Sequence, residues 1–142
     1  MKEHLLKLSQ NALESMNSGD CESAVRSLSE LLKQQPNWEH GGGLYDLASC
    51  LEELGMFDDA KRRFEQALSY EPKNPIYLGG LASFLYLHGS PHKAFEKHLA
   101  LLKLEDRLGN AAKVSSIAQI LRTLGQRIGL PSTTVDHLIE ET

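Results

Sequence analysis

One pattern of small and apolar residues recurs four times along this 142-residue chain, at steps of 36, 34 and 36 residues. Its clearest mark is a glycine preceded by spaced apolar residues, found at positions 19, 55, 89 and 125. In the first three copies an alanine follows five residues after the glycine. Self-similarity at a fixed period of this length is typical of architectures in which one supersecondary unit stacks on the next. We therefore expect a repeat protein.

Each copy of the pattern predicts two helices joined by a turn. In the second copy, apolar residues from Leu44 to Leu51 recur at three- and four-residue spacing, which places them on one face of a helix. Gly55 follows, where a left-handed C-cap favours a residue without a Cβ. A second apolar stripe runs from Phe57 to Leu68 and ends at Pro72. Because such a pair leaves one apolar side uncovered, we expect an all-α fold of antiparallel helix pairs that stack on one another.

Charge and hydropathy exclude several classes of function. The net charge is −4 at pH 7, which argues against the broad basic surface of a nucleic-acid-binding protein. No apolar run approaches the roughly 18 residues of a membrane span, so no membrane insertion is expected. The opening segment MKEHLLKLSQ lacks the apolar core of a signal peptide, and two cysteines are too few for a disulfide scaffold. These features predict a cytoplasmic protein.

The second copy resembles the tetratricopeptide repeat (TPR) family. It carries the Leu-Ala pair and the small, aromatic and proline residues typical of that family: Leu47, Ala48, Gly55, Phe57, Ala60, Phe64, Ala67 and Pro72. The fourth copy departs most, because Leu130-Pro131 replaces the alanine of the second helix. The resemblance covers nearly the whole chain, with units near 5–38, 41–74 and 75–108 and a degenerate helix pair at 111–142 as a C-terminal cap.

The resemblance implies a right-handed superhelical stack that forms one solenoid domain over residues 1–142. The first helix of each pair then lines a concave groove. Some TPR proteins hold the C-terminal carboxylates of chaperones with lysine, asparagine and arginine on these helices. The matching positions here include Tyr45, Asp46 and Ser49 and carry no positive charge, so that class of ligand is not expected.

Two glycine clusters call for an explanation. Gly41-Gly42-Gly43 is followed by Leu44-Tyr45, whereas a phosphate-binding loop needs a lysine and a hydroxyl residue there. A frayed or tightly crowded helix start is the better interpretation. Gly79-Gly80 falls inside a predicted helix, where each glycine costs roughly 0.5–1 kcal/mol relative to alanine. The pair predicts either room for a ligand on the inner wall or close packing against a neighbouring helix.

The sequence contains no arrangement typical of catalysis. His88 and His92 have the spacing of a helical metal pair, but Gly89-Ser90-Pro91 places a turn between them. His98 falls at a core position, and Cys21 and Cys50 occupy apolar positions as small hydrophobes. We therefore expect no catalytic residue, no cofactor and no metal site, and a protein that is not an enzyme.

The predicted partner-binding residues lie on the faces of the first helices that point away from the core. They are Met16, Tyr45, Ser49, Glu52, Ile76, Gly79, Ser83, Tyr86, Gln119 and Arg122. This surface is aromatic, aliphatic and small polar in character, which suits an amphipathic helix or an apolar extended segment of a partner. Tyr45 and Tyr86 are the predicted anchors, since aromatic residues dominate interface energetics. The alternative is that both tyrosines pack inside the solenoid.

The expected function is therefore a protein–protein interaction module, such as an adaptor, an assembly factor or a co-chaperone, that binds a peptide or helix of a partner. A self-associating scaffold, whose groove or ends mediate homo-oligomerisation, is the alternative.

Overall fold

The computed structural model describes residues 2–141, and over that range the chain is all-α. The elements are α1 (Lys2–Asn17), α2 (Cys21–Gln34), a 3-10 turn (Trp38–Gly41), α3 (Gly42–Glu53), α4 (Phe57–Tyr70), α5 (Pro75–His88), α6 (Pro91–Arg107), α7 (Ala111–Arg127) and α8 (Ser132–Glu140). Turns of two to four residues join α1 to α2, α3 to α4, and each helix from α5 to the next. Connections this short make consecutive helices antiparallel neighbours. The prediction of an all-α fold of antiparallel helix pairs is confirmed.

The helices form two compact units, one ending at Pro72 and one beginning at Lys73. In the first unit α2 packs against both α1 and α3, and α3 packs against α4. In the second unit the packing runs from α5 to α6, from α6 to α7 and from α7 to α8. The inference of a single solenoid domain over the whole chain stays a prediction. Within residues 2–141, none of the helices combines the length and the hydropathy needed to span a bilayer.

Alanines let the paired helices approach each other closely. Ala24, Ala48 and Ala60 are fully buried in the first unit, and Ala82 and Ala94 are fully buried in the second. A methyl group at the contact allows two helix axes to come near without leaving a void between them. Larger side chains fill the remaining space, and Phe64, Leu81, Leu102 and Leu121 are each at most 2% exposed. The repeating alanines therefore mark helix crossings.

The repeat glycines do not all serve the same purpose. Gly19 and Gly55 follow α1 and α3 with φ of +79° and +78°, as the left-handed C-cap prediction requires. At Gly55 the amide of Met56 donates to the carbonyl oxygen of Leu51 at 2.9 Å, which closes the helix end. Gly89 has an extended backbone instead. An added Cβ there would lie 2.7 Å from Leu85 Cδ2, so crowding explains the glycine.

The fourth repeat glycine, unlike Gly19 and Gly55, does not follow the end of a helix. Gly125 is buried inside α7, which continues to Arg127 and is followed by the left-handed Gly129. An added Cβ at Gly125 would lie 2.5 Å from Val135 Cγ2 on α8. Gly125 therefore makes room for α8, whose Val135 is 1% exposed.

Helix α8 begins without a side-chain cap. Its N-cap residue is Pro131, and the hydroxyls of Ser132 and Thr133 form no capping hydrogen bond. Asp136 accepts a hydrogen bond from Arg122 Nε at 3.2 Å instead. Helix α8 is thus held against α7 by the burial of Val135 and by the exposed ion pair between Arg122 and Asp136.

Candidate partner-binding face

The first helices of the helix pairs in the second unit are α5 and α7. Of these two, α5 has the more apolar exposed face. We define the α5 face as Ile76, Gly79, Ser83 and Leu87. Ile76 and Leu87 are 62% and 65% exposed. Successive helix residues are 100° apart, so Ile76, Ser83 and Leu87 fall within a narrow strip. Residues 75–88 include no Asp, Glu, Lys or Arg, and the α5 face is therefore an uncharged strip with a bulky apolar residue at each end.

Internal packing of the second unit does not account for the glycine at position 79. A Cβ added there would find a single neighbour, Leu101 Cδ2, at 3.8 Å, which is ordinary van der Waals contact. Of the two explanations that the sequence left open, close packing of Gly79 within its own unit is therefore not supported. Gly79 has no side chain and the exposed Ser83 has a small one, so the α5 face has a shallow depression between Ile76 and Leu87.

Tyr86 borders the α5 face and is half-buried. Its ring meets the His98 ring edge-on, with 6.1 Å between centroids and 70° between planes. The guanidinium carbon of Arg127 lies 5.1 Å from the centroid of the Tyr86 ring. The Arg127 contact joins α5 to α7, and the His98 contact joins α5 to α6. The structure thus gives Tyr86 a packing role within the second unit.

His98 is an interior histidine, as its position in the repeat predicted. It is 3% exposed, and its Nδ1 donates to the carbonyl oxygen of Ala94 at 2.8 Å. Burial lowers the pKa of His98, although the Ala94 hydrogen bond opposes that shift. The ring that supports Tyr86 is therefore neutral at physiological pH.

The remaining predicted residues of the second unit lie on α7. Gln119 is exposed, and its carbonyl oxygen accepts from the Thr123 hydroxyl at 3.2 Å. Arg122 is bound to Asp136 of α8, and the two side chains are 54% and 49% exposed. Arg127 is a cation next to the α5 face that the sequence interpretation missed. Its contact with Tyr86 depends on how α5 and α7 meet in space, and sequence spacing does not encode that.

In the first unit the predicted residues are Met16 on α1 and Tyr45, Ser49 and Glu52 on α3, all half-buried. The Tyr45 ring contacts Phe64 edge-on, with 5.7 Å between centroids. Burial raises the pKa of Tyr45, and the Asp46 carboxyl adds to the shift. The Ser49 hydroxyl donates to the Tyr45 carbonyl oxygen at 3.2 Å. These side chains are therefore engaged mainly with their own unit.

Two exposed leucines of α1 are missing from the predicted set. Leu6 and Leu13 are 52% and 55% exposed and lie seven residues apart, on one side of the helix. The helical period could have identified them, because Ala12 marks the buried side of α1. They give the first unit an apolar surface of its own.

The triple glycine begins α3 in crowded surroundings. A Cβ on Gly43 would lie 3.1 Å from Leu32 Cδ2 and 3.5 Å from two atoms of Trp38. Gly41 has φ of +100°, and the two residues before it, Glu39 and His40, have φ of +53° and +52°. These three consecutive residues, all in the left-handed region, make up the end of the 3-10 turn and reverse the chain sharply before α3 begins. This geometry supports the interpretation as a crowded helix start.

Asp46 is the most perturbed carboxyl near this turn. Its burial, with a smaller contribution from the charge of Glu39, raises the pKa of Asp46 to about 6. The carboxyl is therefore half protonated at about pH 6, where an aspartate with the usual pKa of 3.8 is almost fully ionised.

Cys21 and Cys50 lie near each other across α2 and α3, which the sequence interpretation missed. The Cys21 thiol donates to Glu53 Oε2 at 3.2 Å. Burial, followed by the influence of Cys21, raises the pKa of Cys50 to about 12. Raised thiol pKa values give little thiolate at neutral pH, so both side chains are chemically quiet. Within residues 2–141 there is no group of three His, Cys, Asp or Glu side chains that could hold a metal ion.

Comparison with protein families places residues 16–84 in the tetratricopeptide repeat model. No curated protein matches the chain significantly. Solved structures do match. The TPR2B domain of yeast Sti1, described as a complex with pHsp70, is 19% identical with a TM-score of 0.74, and the match covers 88% of this chain and 98% of that one.

Two further structures show the range of proteins that share this fold. The translocator chaperone SycD of Yersinia enterocolitica is 18% identical, with a TM-score of 0.73 over 88% of this chain and 94% of that one. A mutant O-GlcNAc transferase of Thermobaculum terrenum is 18% identical with a TM-score of 0.68 over 87% of this chain, but only 22% of the transferase chain is covered. At these identities the similarity shows the fold. The resemblance found in the sequence is confirmed: residues 16–84 match the tetratricopeptide repeat model, and the chain shares the fold of these structures.

Proposed function

We propose that this protein is a non-enzymatic interaction module of the cytoplasm, an adaptor, assembly factor or co-chaperone that binds a peptide or helix of a partner protein. The α5 face carries the proposal. It combines two strongly exposed aliphatic side chains with a helix that has no charged residue. Exposed apolar surface with polar surroundings is characteristic of protein-binding sites.

The solved structures add support of a limited kind. The yeast Sti1 domain is described as bound to pHsp70 and SycD as a translocator chaperone. Both descriptions concern those proteins, and the similarity to this chain lies in the fold. They are consistent with a role in which a helical repeat presents a surface to another protein.

The anchors that we propose differ from the two tyrosines suggested by the sequence. Tyr45 and Tyr86 are half-buried and packed against Phe64 and against His98 with Arg127. Ile76 and Leu87 are more exposed, and their burial by a partner removes more apolar area from water. We therefore assign the contacts to Ile76 and Leu87, with Tyr86 as a rigid support beside them.

Affinity capture from a native lysate, followed by mass spectrometry, tests this function. The double variant Ile76→Asp, Leu87→Asp is expected to lower recovery of the specific partner about tenfold or more, because each aspartate places a charge in a desolvated contact. Leu108→Asp is the matched control, since Leu108 is 55% exposed after α6 and lies off the α5 face.

Far-UV circular dichroism and thermal melting establish that each variant stays folded. Equal recovery of the same partner by the wild type and the folded double variant would exclude the α5 face as the binding surface. Loss of the partner with Leu108→Asp as well would show that the effect is not specific to α5.

A self-associating scaffold is the second candidate, and the charge distribution favours it. Residues 1–72 contain seven basic and 13 acidic residues, a net charge of −6, whereas residues 73–142 contain eight basic and six acidic residues, a net charge of +2. Oppositely charged halves attract each other between copies, and salt screens that attraction. Light scattering at two protein and two salt concentrations separates this candidate from a monomeric adaptor.

A further inference from the structure

The surroundings of the α5 face are cationic. No Asp or Glu occurs between Glu71 and Glu96, a stretch that contains Lys73 and all of α5. Lys73 is exposed and precedes Ile76 by three residues at one end of the face. Arg127 reaches Tyr86 at the other end, next to Leu87. The apolar strip is thus flanked at both ends by positive charge.

Arg127 is held in a fixed position by an uncharged support. Its guanidinium carbon lies over the Tyr86 ring at 5.1 Å from the centroid, and the same ring meets the His98 ring edge-on. A guanidinium stacked on an aromatic ring keeps its N–H groups at the rim available for a carboxylate. Among the described residues, no carboxylate forms an ion pair with Arg127, in contrast to Arg122, which is bound to Asp136.

The centre of the face is low and suits a bulky apolar side chain. Gly79 has open space where a Cβ would be, apart from Leu101 Cδ2 at 3.8 Å, and Ser83 is small and exposed. Ile76 and Leu87 rise on either side of this depression. The seven steps along the helix from Gly79 to Tyr86 span about 10 Å, which corresponds to roughly two turns of a bound helix.

We infer that the α5 face binds an amphipathic helix that carries one large apolar side chain over Gly79 and Ser83 and an acidic side chain one to two turns away, against Arg127. This inference rests on the proposed function and specifies the chemistry of the partner. The apolar side chain contributes buried area, and the pairing of the acidic side chain with Arg127 sets the orientation of the helix. The positive charge of Arg127 also repels a helix with a basic flank. The occupant is thus a helix of another protein with an acidic flank.

Two synthetic helical peptides of about 18 residues test the inference on the full chain. Both have the same leucine stripe with a central phenylalanine, and both are acetylated and amidated, so that neither has charged termini. One has glutamates on the flank and the other has lysines at the same positions. Fluorescence anisotropy is expected to give about tenfold tighter binding of the glutamate peptide at low salt, with a smaller preference at high salt.

Arg127→Gln is expected to remove most of that preference. The matched control is Arg62→Gln, because Arg62 is an exposed arginine of α4 that is paired with Asp59 at 3.1 Å. Loss of the preference with Arg127→Gln and its retention with Arg62→Gln support the inference. Equal binding of the two peptides, tighter binding of the lysine peptide, binding of neither, or an unchanged preference in Arg127→Gln would overturn it.

The same titrations distinguish failure of the inference from failure of the proposed function. If both peptides bind equally and Leu87→Asp releases both, the α5 face is a docking site but has no acidic preference. If Leu87→Asp releases neither, the face is not the docking site, and both proposals fail. A chain that sediments as a dimer and becomes monomeric with Leu87→Asp has a second copy on the face, which also overturns the inference.

Discussion

Individual residues in this protein depart from the simple repeat pattern where packing or burial requires it. Asp46 is a carboxyl in a half-buried position of α3, where an apolar residue would cost less. Burial raises the pKa of Asp46 to about 6, so the folded state favours the protonated carboxyl more strongly than the unfolded chain does. Asp46 also lies near the turn in which Glu39 and His40 have positive φ, and the charge of Glu39 contributes to the raised pKa.

The pH dependence of stability tests this environment of Asp46. Because the folded pKa, about 6, is above the usual value of 3.8, the stability contribution of Asp46 is complete below about pH 3.8 and is lost as pH rises through about 6. Asp46→Asn is therefore expected to raise the melting temperature at about pH 7.5 but to change it little at about pH 4. Thermal melts across that range measure it, with Glu65→Gln on the exposed side of α4 as the control.

A uniform effect of Asp46→Asn at both pH values, or destabilisation at the higher one, would show that the carboxyl is solvated and charged in the folded protein.

At the level of helices, the period of the sequence predicts the number and pairing of elements well, and it predicts their ends less well. The C-cap at Gly55 follows from local chemistry and is confirmed. The equivalent position at Gly125 falls inside α7, because the left-handed turn is supplied by Gly129 four residues later. A repeat alignment shows which residues correspond, but the helix continues until a local signal stops it.

Packing of α8 on α7 is the part of the fold that depends most on one glycine. Gly125→Ala is expected to destabilise the protein by about 1–3 kcal/mol, because the new methyl would overlap Val135 Cγ2 at 2.5 Å. Gly79→Ala is the matched control. Its methyl meets only Leu101 at 3.8 Å, so it should be neutral or stabilising by about 0.5–1 kcal/mol through helix propensity.

Denaturant titration measures both glycine variants. Equal effects of Gly125→Ala and Gly79→Ala would contradict the assigned contact between α7 and α8.

At the scale of the whole molecule, the overall net charge conceals a difference between the halves. The total of −4 suggested only that nucleic acid is an unsuitable partner, while the two halves carry −6 and +2. The exposed side of α5 was predictable from its helical period, since Ile76, Gly79 and Ser83 were all expected there. The proximity of Arg127 to Tyr86, and of Cys21 to Cys50, was not, because residues distant in sequence meet only after the helices have packed.

The most direct test of the central claim, that a partner binds the α5 face, is site-specific photo-crosslinking in the native lysate. A photoreactive phenylalanine derivative replaces Ser83 on α5 or, as the control, Ala100 on the exposed side of α6. The account predicts a discrete crosslinked partner from position 83 and none from position 100. A partner crosslinked from position 100 and absent from position 83 would contradict it.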